Sequence, residues 1–198
     1  MVIPMGGDAP LGMGPPPERV QPRLRRIKAC LVVMVLALVA KLAGQILLQP
    51  SLALNIVVDS LDAVLVAAVG VFVLKDDPFF GKIHACIVRL CCRGCEDQCP
   101  GGVYCLCTWF AVCLITALSD LLGDVQTVYI GCRLMFDPGF PDKFTWYFEP
   151  RSGPWFACMA VFLAGLLGAL LAQIVGAWQG MKGFMECQEA LLEPLDGA

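Results

Sequence analysis

Long apolar runs alternate with short polar breaks along this chain, and the runs are of helical rather than strand length. Four of them, Ala29–Leu48, Leu52–Leu74, Val103–Leu122 and Trp155–Trp178, hold about the 20 residues that carry a helix across a hydrocarbon layer ~30 Å thick. The breaks carry helix-stopping chemistry: Gln49-Pro50-Ser51, Asp76-Asp77-Pro78, Asp137-Pro138-Gly139 and Gly153-Pro154. Isolated strands would leave backbone groups unpaired in lipid. The pattern therefore predicts an all-α integral membrane protein, a four-transmembrane-helix bundle. Residues 1–28 read as a disordered tail, 75–102 as a Cys-rich loop, 123–154 as an aromatic loop on the opposite side, and 179–198 as an acidic tail.

Composition points the same way. Hydrophobic residues make up 58% of the 198 and charged residues 16%, which leaves too little polar surface to face water alone. The placement of Lys and Arg sets the orientation. Arg19, Arg23, Arg25, Arg26 and Lys28 precede the first run, Lys75, Lys82, Arg89 and Arg93 lie between the second and third, and Lys182 follows the fourth. Only Arg133, Lys143 and Arg151 fall on the other side. Both termini are expected to be cytoplasmic, with the first run acting as an uncleaved anchor. A net charge of -3 without a basic face argues against a nucleic-acid partner, leaving the lipid bilayer, further copies of the chain or other membrane proteins.

Ionisable residues inside the first two runs are the strongest functional signal, because each charge at mid-membrane costs about 2.5–3.5 kcal/mol on insertion scales. Lys41 lies nine positions before Pro50 and Asp59 nine after it, so a tight hairpin brings the two to one depth. Gln45 sits a turn from Lys41, and Asn55, Asp59 and Asp62 share one helix face. Read functionally, this is a proton or ion site; read structurally, it is an ion pair fixing the hairpin. Asp120, near the end of the third run, reads as too shallow to join it. In the fourth run Ala160, Ala164, Gly168, Ala172, Gly176 and Gly180 form a row of small residues every four positions, expected to let another helix approach closely.

Twelve cysteines gather mostly in or beside apolar runs, which predicts reduced thiols rather than a disulfide framework. Residues 79–92 suit a short interfacial helix, with Phe80, Ile83, Ile87 and Leu90 on one side and Lys82, Arg89 and the following Arg93 on the other. Cys86, Cys91, Cys92, Cys105 and Cys107 lie beside the membrane, where S-acylation needs only a thiol. Cys92, Cys95 and Cys99 are weak zinc candidates, since two separated ligand pairs are missing. The Cys92–Cys95 pair is placed unlike that of membrane thiol–quinone oxidoreductases: it falls on the side read as reducing, and Cys132 stands alone opposite.

No phosphate loop, paired-His metal helix or nucleophile elbow occurs, and His84 is the single histidine. No cofactor is expected. The leading expectation is a non-enzymatic organising or adaptor component of a membrane. A small ion, proton or solute transporter component using Lys41, Asp59 and Asp62 comes second, and a membrane thiol-redox protein third.

Overall fold

The computed structural model describes residues 18–48, 60–91, 101–137 and 147–192. Among these it is 87% helix and holds no strand. The elements are α1 (Gln21–Leu48), α2 (Leu61–Val73), α3 (Phe80–Cys91), a 3-10 turn (Gly102–Cys105), α4 (Leu106–Phe136) and α5 (Gly153–Leu192). Three stretches, Gln21–Leu48, Gly102–Phe136 and Gly153–Glu189, are long and apolar enough to cross a membrane. The second apolar run is described only from Ser60 onward, where it forms the shorter apolar helix α2; its first half lies outside the described residues.

Several boundaries differ from those read off hydropathy, each for a packing reason. Residues 21–28, expected in a disordered tail, are the first two turns of α1. Pro22 sits where a helix needs no N–H donor, and Val20 and Ile27 are wholly buried, so one helical face continues past the end of the apolar run. The third run does not stop at Leu122. α4 continues through Gly123 and Asp124 to Phe136 because Gly131 and Leu134 are buried, Gly131 against Leu163 of α5, so half of the expected outer loop is helix. Likewise α5 runs through the first fourteen residues of the expected acidic tail. At 40 residues it is ~60 Å long, about twice the hydrocarbon thickness.

α5 is antiparallel to both α1 and α4 and packs most extensively on α1, then on α4. Arg23 near the start of α1 clasps Glu186 near the end of α5 at 2.7 Å and reaches Gln179 at 3.2 Å, so the chain's first and last helices meet at one end of the bundle. That end is filled by an apolar cluster centred on Ile27, Leu31, Val66, Leu106 and Trp109. The other end holds a second cluster of Leu48, Leu134, Trp155, Met159, Leu163 and Leu166.

The expected row of small residues is only partly used. Gly176 and Gly180 accept the Trp109 ring, whose Nε1–H donates to the Gly176 carbonyl at 3.0 Å, and Gly168 faces Ala37. Ala172 is buried, but Ala160 and Ala164 are exposed. A four-residue step rotates about 40° round a helix, so six such positions wind some 200° and cannot all face one neighbour. The closest approach belongs instead to Gly165, where an added Cβ would lie 2.5 Å from the Lys41 nitrogen and 2.8 Å from the Ala37 carbonyl oxygen.

Candidate functional site

Between the two apolar clusters lies a polar layer, built from four helices. Lys41 of α1, Asp62 of α2, Asp120 and Asp124 of α4, and Gln173 of α5 line one small cavity of about 20 Å³, together with apolar neighbours that include Leu38, Ala63 and Leu166. Lys41 is thirteen residues, ~20 Å, along α1 from Lys28. If Lys28 marks the membrane boundary, the layer lies within the hydrocarbon.

Its geometry follows from local sequence. Asp120 and Asp124 are i, i+4 on α4 and so point to the same side. The bare Gly165 lets the α1 and α5 backbones touch at Lys41, which holds the lysine's stem at the seam. Lys41 Nζ stands 3.6 Å from Asp124 Oδ2, an ion pair with both side chains largely shielded. Gln173 is 1% exposed; its Nε2 donates to Asp120 Oδ2 at 2.8 Å, while its Oε1 is buried with no hydrogen-bond partner among the described residues. Asp62 lines the same cavity and forms no hydrogen bond or ion pair among the described residues.

Among the described residues the cavity thus gathers three carboxylates and an unpartnered amide oxygen around one ammonium. With every group ionised it would carry two uncompensated negative charges, each costing about 2.5–3.5 kcal/mol at mid-membrane. A space of 20 Å³ holds about one water. An acceptor-rich site of that size fits a proton, bound to a carboxylate or carried on a water, which removes charge and satisfies the Gln173 oxygen together.

Of the residues singled out from sequence, Lys41 and Asp62 line this cavity, whereas Gln45 is half-buried on α1 outside it. Asn55 and Asp59 lie outside the described residues, and the lysine's described partner is Asp124. Reading Asp120 as too shallow is overturned: it faces the same cavity as Lys41 and bonds Gln173. Gln173 and Asp124 went unread in the sequence, although an amide alone in an apolar run and an i, i+4 aspartate pair were both visible signals.

The thiols offer less. Cys86 and Cys107 are exposed and Cys105 half-buried, all unbridged. Cys91 ends α3, while Cys92, Cys95 and Cys99 lie outside the described residues. Among the described residues no three His, Cys, Asp or Glu side chains converge to hold a metal ion. α3 occupies the stretch expected as an interfacial helix, with Phe80 buried and Ile83 and Leu90 exposed.

Comparison with protein-family models, with curated proteins and with solved structures finds nothing that matches this chain.

Proposed function

We propose that this protein is a four-span membrane component that takes up and releases a proton at the Lys41–Asp62–Asp120–Asp124–Gln173 layer, as part of a small transporter or proton relay with both termini cytoplasmic. On this reading it is not an enzyme. One observation carries the proposal: among the described residues the layer holds more carboxylate than its one lysine can neutralise, beside a buried glutamine oxygen that none of them partners. A site needed only for packing gains nothing from that excess, since one lysine and one aspartate already satisfy each other.

The organising role is the second reading. It is favoured by the way the same groups tie helices together, Lys41 joining α1 to α4 and Gln173 joining α5 to α4. Proton uptake into liposomes holding the purified chain, followed with a trapped pH-sensitive dye, separates the two. Native protein should acidify the lumen faster than empty liposomes under an imposed gradient. Asp120→Asn and Asp62→Asn, at equal insertion, should each slow uptake by about tenfold or more, in keeping with loss of a positioned proton carrier. Native flux no greater than in empty liposomes would refute the relay and leave the layer as structural glue.

A further inference from the structure

A second cavity, of about 230 Å³, opens at the end of the bundle where α1 begins, walled by α1, the turn after α2 and the 3-10 turn. Its floor is apolar, including Leu24 and the buried Leu74, and its rim carries Arg25, Lys28, Asp76 and Asp77. Two of the four charges are committed. Lys28 Nζ bonds Asp77 Oδ2 at 2.6 Å, and Asp77 Oδ1 accepts from the Phe79 and Phe80 backbone N–H groups at the start of α3. Arg25 and Asp76 are exposed and form no hydrogen bond or ion pair among the described residues. The cavity therefore presents one uncommitted cation and one uncommitted carboxylate.

We propose that this cavity binds a phospholipid headgroup carrying a phosphate and a primary ammonium, of the phosphatidylethanolamine type. The guanidinium of Arg25 takes the phosphate and the carboxylate of Asp76 takes the ammonium. No aromatic side chain among the described residues lines the cavity, so a quaternary choline group lacks the cage it favours. With Lys28 and Asp77 neutralising each other, the remaining one cation and one carboxylate suit a zwitterionic headgroup better than one of higher negative charge. The volume lies below that of drug-sized ligand sites, which suits a headgroup of few heavy atoms. The acyl chains have a track as well. From Arg25 the same face of α1 continues at i+4, i+7 and i+11 through Ala29, Val32 and Leu36, all exposed, with Val32 at 43% and Leu36 at 63%.

The test is native mass spectrometry of the full chain in detergent, titrated with phosphatidylethanolamine or phosphatidylcholine of identical acyl chains. The native chain should retain the ethanolamine lipid about tenfold more strongly, as expected for a charge-assisted hydrogen bond. Asp76→Asn should abolish that preference and leave phosphatidylcholine retention unchanged, with Asp76→Glu restoring it. Arg25→Gln should weaken both lipids. Both positions are exposed and unpaired, so melting temperatures should match the native chain. Equal retention of the two lipids, or a preference that survives Asp76→Asn, would overturn the assignment. So would displacement of bound lipid by equimolar glycerophosphoethanolamine, which would make the ligand a soluble phosphoamine. None of these outcomes depends on proton flux, so this site and the polar layer stand or fall separately.

Discussion

Gly165→Ala is the sharpest probe of how Lys41 is held. The added methyl would lie 2.5 Å from the Lys41 nitrogen and 2.8 Å from the Ala37 oxygen, against about 3.4 Å for ordinary contact, so α1 and α5 must part by roughly 0.9 Å. The obstacles are backbone atoms, which cannot swing aside as a side chain would. Overpacking of this kind costs about 1–3 kcal/mol, and the rigidity of both partners puts the expected loss near 2–3 kcal/mol even after the helix preference of Ala over Gly is counted. Gly168→Ala, three residues further on, supplies the control. Its methyl would meet only Ala37 Cβ at 3.5 Å, an ordinary contact, so its stability should be within about 0.5 kcal/mol of native or slightly higher. Reversible unfolding in mixed micelles, monitored by circular dichroism as the denaturing detergent fraction rises, measures both. If the two variants unfold alike, or if Gly168→Ala is the weaker, then α1 and α5 do not meet at Gly165 and the placement of Lys41 described above is wrong.

Two further outcomes follow from the polar groups. Gln173→Leu should cost about 1–3 kcal/mol because it strips Asp120 of its donor, whereas the double change Asp120→Leu with Gln173→Leu should recover most of that loss; the same micelle unfolding compares them, and additive losses would refute the coupling. Burial pushes the Asp77 carboxyl up, but the Lys28 hydrogen bond and the Phe79 and Phe80 amides outweigh it and hold it below the ordinary aspartate value. Because the folded value is the lowered one, the anchoring of α3 should be complete above about pH 4 and be lost only as pH falls through that value. The Phe79 and Phe80 amide resonances should report the loss, and Asp77→Asn should erase the titration.

Hydropathy located the three helices that are long and apolar enough to cross a membrane, because length and apolar content are both written in the composition of a run. It could not find their ends. Gly123 and Asp124 lower the local hydropathy and look like a break, yet helix continuity depends on what a face meets, and Gly131 and Leu134 meet α5. That misplaced end also hid the lysine's partner, since Asp124 was assigned to a loop. The small-residue row is legible in the sequence, but a four-residue repeat winds round its helix, so which of its members meet a neighbour is not. Gly165, off that row, makes the close contact because helix phase against a neighbour is fixed by tertiary packing and leaves no local mark.

The clasp between Arg23 and Glu186 has a consequence for how the protein is made. The groups that satisfy the first helix are encoded late: Asp124 follows Lys41 by more than 80 residues, and Glu186 follows Arg23 by about twice that. At about 5–20 residues per second of synthesis, Lys41 waits some 4–17 s for its partner to emerge. On the membrane reading proposed above, α1 spends that interval without its described ion-pair partner, at a cost of about 2.5–3.5 kcal/mol for a charge at mid-membrane. Contact with the insertion machinery or an aqueous cleft would lower that cost, so photocrosslinks from α1 to that machinery should persist until α4 has been synthesised and then disappear.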